Sequence, residues 1–369
     1  MWWSRPEGPR VKISRRALTL TALTLPVLAA CSTGGQDDDA GGGGQGQAGS
    51  DGGGTADGAD AGAFPVTVSH LYGETEIAAE PQRIATVSWV NGDSVLALGI
   101  VPVGMPVVEW GGNDNQSTDW VDAKLEELGA TWGSEKAPTT YSEVDGVAAD
   151  EIAALTPDLI IAAYSGLTQD DYEQLSRIAP TIGPIAPNYT TSWQDAITAI
   201  GQATGRSEAA GQVIDEVTAA LAAVGEENPD VAGSTFIAGT LGLTDDTITL
   251  YTAGDTRPRF FTALGMTQAD VVTENTADET TFMVPWSAER ADELDSDIFY
   301  TWAAAGSTVA SFQENDLFAQ IPAVARGSVV LTADDHQTLS ISAASALSLP
   351  WAIQDVVPSV LDAVRTAKG

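Results

Sequence analysis

An α/β fold, two lobes of mostly parallel sheet flanked by helices and joined by one long α-helix, is what this sequence predicts, on three observations. From Phe64 onward, short runs rich in β-branched residues alternate with helix-periodic runs, the pattern of strand–helix units wound around parallel strands. One helical run, Ser207 to Glu227, lies mid-chain with strand-rich stretches on either side. The roughly three hundred residues after position 63 are enough for two domains of ordinary size.

Before Phe64 the chain differs in kind. Ser14-Arg15-Arg16 opens an apolar stretch, Ala17 to Ala30, that is too short to span a bilayer and closes on Leu28-Ala29-Ala30-Cys31. Cys31 is the only cysteine. A basic start, a hydrophobic middle and small residues ahead of a cysteine describe an export signal over residues 1–30, after which Cys31 becomes the lipidated first residue. The run resembles bacterial lipoprotein signals, and Arg15-Arg16 resembles a twin-arginine export pair. Residues 31–63, with Gly41 to Gly44 and Gly52 to Gly54 among Asp, Ala and Gln, offer almost nothing to bury. They read as a flexible tether with a root-mean-square span of roughly 30 Å. The expected location is the outer face of the cell membrane, held by lipid.

The formal charge is −35, and loss of residues 1–30 brings it to about −39. Such a surface repels nucleic acids and anionic headgroups, so nucleic-acid binding is excluded. With Cys31 carrying lipid, no thiol remains for a disulfide, a cysteine zinc site or redox chemistry.

The elements follow in order. Arg83 to Val87 reads as the first strand, with Asn91, Gly92 and Asp93 placed at the amide end of a Ser94 to Leu98 helix. Further strands are expected at Val101 to Gly104, Asp158 to Ala162, Ser234 to Ala238, Thr247 to Tyr251, Asp297 to Tyr300 and Ser328 to Leu331. Gly99 stops a helix before Val101, and Pro157 ends one before Asp158, because the residue ahead of proline avoids helical torsions. Between the strand groups, Val213, Val217, Leu221 and Val224 recur at helical spacing, with Ser207-Glu208 as a start and Asn228-Pro229 as a stop. At 1.5 Å per residue this helix is roughly 30 Å long, enough to join two lobes side by side. The divisions are therefore 64–206, 207–228 and 229–369.

Several phrases in family order now resemble the iron-siderophore substrate-binding proteins of ABC importers. They are Pro81-Gln82-Arg83-Ile84-Ala85, Leu96 to Gly104, Glu151 to Ala162 and Tyr172 to Thr181 in the first half. Phe261 to Met266, Ser287-Ala288-Glu289-Arg290 and Leu294 to Asp297 continue them in the second. The resemblance implies a class III substrate-binding fold in which one rigid helix joins the lobes with little hinge motion. It also implies a ligand held in the cleft between them, and a non-enzymatic receptor that acts with a membrane permease. The ligand would be a ferric siderophore, whose iron is already caged, so no protein metal site is expected. A haem or cobalamin receptor shares the fold and stays open as an alternative.

A chelate of this kind needs flat faces and a few charges. Beyond residue 30 there are eight tryptophans, and open α/β sheets bind ligands at the carboxyl ends of their strands. Trp89, Tyr164 and Trp302 follow expected strands, Tyr189 and Trp193 flank a helix start, and Tyr251 and Trp286 complete the candidate lining. Any one tryptophan is as readily core. Arg257 and Arg259 are among only eleven Lys and Arg beyond residue 30. Their place resembles the family's arginine-bearing loop, where planar donors reach ligand oxygens. The competing reading is a surface ion pair with Asp255 or another of the many acids, favoured more for Arg259 than for Arg257. The matching phrases place permease-docking acids at Asp150, Glu151 and Glu289, with Asp150 standing where the family has glutamate. A monomer is expected.

Other chemistries find little footing. A protein-ligated metal site needs several histidines, and His70 and His336 are far apart; His336 is expected to face solvent. An extracellular hydrolase would call on Ser165 or His336, but Tyr164-Ser165-Gly166 lacks the first glycine of a nucleophile elbow.

Overall fold

The computed structural model describes residues 58–278 and 280–369. The export signal 1–30, Cys31 and most of the 31–63 tether lie outside the described residues. No helix among the described residues is long and apolar enough to cross a membrane.

The first strands are not at Arg83 but in an antiparallel hairpin, β1 (Val66–His70) and β2 (Gly73–Ile77). Only Val68, Thr75 and Ile77 of the hairpin are buried, too few apolar positions to announce strands in sequence. A parallel sheet follows, of β3 (Ile84–Thr86), β4 (Gly104–Pro106), β5 (Thr139–Tyr141), β6 (Leu159–Ile161) and β7 (Thr181–Ile182), in the order β5-β4-β3-β6-β7. The strand expected at Val101 to Gly104 begins only at Gly104. Val103 is its lead-in, donating its N–H to the Ile84 carbonyl at 2.8 Å. The expected Ser94 to Leu98 helix spans Asn91–Ala97, so Asn91, Gly92 and Asp93 are buried within its first turn rather than ahead of it.

A second sheet contains β8 (Thr235–Gly242), β9 (Thr247–Tyr251), β10 (Thr267–Gln268), β11 (Met283–Trp286), β12 (Ile298–Trp302) and β13 (Val329–Thr332). Its order is β11-β9-β8-β12-β13 with β10 added on β8, and only β9 runs against its neighbours.

In sequence between the sheets lies the Ser207–Glu227 helix, which buries Ala210, Val217, Leu221 and Val224. It packs on the Trp193–Thr204 helix of the first half and on the Pro229–Ala232, Thr256–Ala263 and Ser348–Asp355 helices of the second. Period-two alternation divides each sheet between cores. The outer face of the first sheet (Ala85, Val87, Ile160, Ala162) packs on Ile152 and Leu175. The outer face of the second (Ile237, Leu241, Ile248, Phe299) packs on Phe312 and Phe318. The remaining face of each joins a single large core: Ile84, Leu96 and Trp120 belong to the same cluster as Phe236, Tyr300, Val330, Leu339 and Leu349. Each such side chain contributes about 1.5–3 kcal/mol on burial.

Candidate ligand-binding site

Loops that follow strands of the first sheet meet the second half at Trp302 and Arg259. On the second sheet, Tyr251 closes β9 and Trp302 closes β12, and the Trp302 indole N–H donates to the Tyr251 hydroxyl at 3.0 Å. Thr240 on β8 shares that hydroxyl at 2.6 Å. The guanidinium of Arg257 stacks over the Tyr251 ring, 3.4 Å from its centroid. Arg257 is clamped by Asp255: Nε donates to Oδ1 at 2.8 Å and Nη2 to Oδ2 at 2.6 Å. Burial works against the Arg257 charge, but Asp255 outweighs it and the guanidinium pKa is raised.

The arginines are in the first turns of the Thr256–Ala263 helix, not in a loop, because proline is tolerated in a first turn, as Pro258 is here. The ion pair also falls the other way round from expectation. Arg257 holds Asp255, while Arg259 donates to the Ala253 carbonyl at 2.8 Å and, across to the first half, to the Thr190 carbonyl at 2.9 Å.

On the first sheet, Asn91 ties two strand ends together. Its amide donates to the Val87 and Tyr164 carbonyls at 2.5 and 2.9 Å, and its oxygen accepts the Tyr164 N–H at 3.0 Å. Tyr164 is thereby fixed and buried, its ring 5.7 Å from that of Tyr189. Burial pushes the Tyr164 phenol up, and the charges of Asp255, Arg257 and Arg259 are all close enough to act on it. Tyr189 is half exposed in a left-handed backbone conformation (φ 61°), its ring lying so close over Gly166 that a Cβ there would stand 2.4 Å away. Trp89, after β3, is half exposed as well.

Six large apolar side chains remain exposed among the described residues. Four of them, Trp89, Trp110, Val144 and Tyr189, are on the loops after β3, β4, β5 and β7, and a fifth, Met283, sits opposite Tyr251 on the same face of its sheet. Trp110 reaches the other half directly, meeting Trp302 edge-on with centroids 6.0 Å apart.

Two candidates fall outside this face. Trp286 is a β-pair partner of Ile248 and packs with Ile248 and Leu241 on the outer face of the second sheet, its N–H on the Arg290 carbonyl at 2.9 Å. It lies three residues from Met283, so the pleat turns it away from Tyr251. Trp193 is buried in the large core beneath the cleft. Asp150, Glu151 and Glu289 are exposed.

His336 does not face solvent. It packs on Trp120 and Trp351, with centroids 4.8 and 5.1 Å away, and donates from Nδ1 to the Gly111 carbonyl at 2.6 Å. Gly111 needs its φ of +70° and its missing Cβ there, since one would stand 2.7 Å from the Asp335 carbonyl oxygen. Ser165 donates its hydroxyl to the Ala162 carbonyl at 2.7 Å. No group of three or more metal-ligating His, Cys, Asp or Glu side chains occurs among the described residues.

Sequence reasoning missed Trp110, Glu143 and Asp93. Asp93 is fully buried, accepting from the Trp120 indole at 2.8 Å and from the Ser345 hydroxyl, on the far side of the chain, at 2.7 Å. Burial raises it to about 6 despite those two donors.

A family model for periplasmic binding proteins matches residues 84–336. The chain belongs to the periplasmic binding protein family. The family is a class of solute-binding proteins, and the chain resembles solved members over most of its length. The iron-uptake binding protein PiaA of Streptococcus pneumoniae TIGR4, solved in complex with ferrichrome, superposes with a TM-score of 0.74 at 27% identity, covering 82% of this chain and 99% of that one. The Bacillus subtilis protein named "Probable siderophore-binding lipoprotein YfiY" is 32% identical over 152 residues, 40% of this chain and 41% of that protein. The ferric enterobactin-binding periplasmic protein FepB of Escherichia coli O6:H1 is 29% identical over 170 residues, 44% of this chain and 50% of FepB. The chain spans about half the length of the curated relatives it matches.

Proposed function

We propose that this chain is the receptor of an ABC importer, capturing a ferric siderophore between lobes 64–206 and 229–369 and passing it to a permease. The observation that carries this reading is the concentration of exposed aromatic and apolar side chains on strand-end loops, with Trp110 and Trp302 meeting across the gap. Soluble proteins seldom leave such side chains together without a ligand or partner to cover them. A caged iron complex presents flat organic surface outward, and stacking faces with few charges suit it. The ligands for which PiaA, YfiY and FepB are named or were solved point the same way.

The export signal 1–30, with Arg15-Arg16, and lipidation at Cys31 would hold this monomeric receptor on the extracytoplasmic face of the cell membrane, the 31–63 segment acting as leash. Asp150, Glu151 and Glu289 are the docking carboxylates in this reading. They are exposed and follow β5 and β11 in the chain.

Tryptophan-fluorescence titration against a panel of ferric hydroxamates, ferric catecholates, haem and cobalamin tests the reading. Saturable quenching by a ferric siderophore and not by haem or cobalamin is expected; binding of haem or cobalamin alone would replace this assignment. Glu289→Arg is expected to stop cellular uptake while leaving the titration unchanged, and normal uptake would remove Glu289 from the docking surface.

A further inference from the structure

The first-half face of the cleft has no positive charge of its own. The strand-end loops 87–91, 107–118, 142–148, 162–168 and 183–192 contain no Lys or Arg, but they hold Glu109 and Glu143. Across the gap, Arg257 is already matched by Asp255, and Arg259 gives Nε and Nη2 to the Ala253 and Thr190 carbonyls while its Nη1 is buried without a hydrogen-bond partner. The carboxylate of Glu143 is only half satisfied. Oε2 accepts the Ser88 N–H at 2.9 Å, whereas Oε1 is buried without a hydrogen-bond partner. The hydroxyls that precede it in the chain are committed: that of Ser142 donates to Glu109 at 2.5 Å and that of Tyr141 to the Thr86 carbonyl at 2.5 Å.

Ser88, whose N–H fixes Glu143, is in a left-handed conformation (φ 65°) and leads directly into Trp89; Val144 follows Glu143, and the carboxylate is close enough to Tyr189 to act on its phenol. Glu143 is therefore set among three of the exposed side chains that line this face. A buried carboxylate oxygen without a donor is unfavourable, and binding a donor or a cation relieves it. An anionic ligand would make it worse.

We propose that Glu143 is a specificity-determining residue that accepts a hydrogen bond from an ammonium or comparable donor carried by the chelate, so that the cleft selects neutral-to-cationic ferric chelates over anionic ones. The inference rests on the chelate-receptor reading above.

Its test compares three probes on the whole protein: the ferric complex of desferrioxamine B, a linear trihydroxamate ending in a primary ammonium; the same complex N-acetylated; and an anionic ferric tris-catecholate. The wild type is expected to bind the ammonium form about tenfold more tightly than the acetylated one, and the catecholate most weakly. Glu143→Gln keeps an acceptor for Ser88, and is expected to erase the ammonium preference while changing affinity for the acetylated form by less than about twofold. Equal weakening of both hydroxamates, or of neither, overturns the assignment. Should the variant fail to fold, the wild-type comparison decides alone: equal or tighter binding of the acetylated or anionic probe overturns it. Those outcomes leave the receptor reading standing, whereas failure of the wild type to bind any member of the wider panel removes the receptor reading itself.

Discussion

The two faces of the cleft are built by different physics. The second-half face is held by charge and hydrogen bonds: Asp255 clamps Arg257, Arg257 covers Tyr251, and Tyr251 accepts from Trp302. The first-half face is held by backbone shape. Left-handed residues at Ser88, Asn188 and Tyr189, together with the Asn91 bridge, aim Trp89, Tyr164 and Tyr189 without a single ion pair among them. One face is therefore sensitive to the loss of any member of a chain of contacts, while the other tolerates loss of a side chain without collapse.

Arg257→Ala should break this comparison open most widely. It strips the cover from Tyr251 and leaves the buried Asp255 with only the backbone N–H of residue 257 as donor, so an unfolding loss of about 3 kcal/mol is expected in denaturant titration. At least about tenfold weaker chelate binding should accompany it. Unchanged unfolding would mean that the clamp does not organise the second-half face.

Next in size is the pH response of the contact where the halves meet. Asp93 has a folded value of about 6 against the ordinary 3.8. A raised folded value means that the stabilising contribution is fully present below 3.8 and is lost as pH rises through about 6. The wild type should therefore gain up to roughly 3 kcal/mol from this group as pH falls from neutral to below 3.8, about half of it by pH 5. Glu143, raised by burial to about 7, adds with the same sign. Asp93→Asn should flatten the profile, and an unaltered slope would show that Asp93 is not the group that titrates.

Trp89→Ala is expected to have the smallest effect on stability, because the side chain is half exposed. Chelate affinity should nonetheless fall about tenfold. A variant that loses stability but not affinity would reverse the contrast between the faces.

Much of this arrangement could be read from the sequence, for reasons that differ by element. The Ser207–Glu227 helix announces itself because Val217, Leu221 and Val224 are its buried stripe. Tyr164 follows and Trp302 ends a strand with a continuous apolar run, Leu159–Ile161 and Ile298 to Tyr300. Trp110 and Glu143 were hidden by the shortness of β4 and β5, three residues each, one containing glycine and proline and the other two threonines. The strand expected at Val101 to Gly104 begins at Gly104, which brings Trp110 to four residues past the end of β4. The Arg257–Asp255 clamp depends on a helix start at a proline-bearing segment, where local sequence favours a loop. Trp286 was misjudged because its register against Ile248, which decides its face, is a long-range property.

The large core has one further consequence. Since side chains from both sheets and from the C-terminal helices belong to the same apolar cluster, neither half retains a complete interior if the chain is cut in the Ser207–Glu227 segment. Opening that segment to a protease then requires disrupting nearly everything at once, so its amides should exchange with solvent only through global unfolding. Resistance to nicking in this segment is thus inherited from the packing itself.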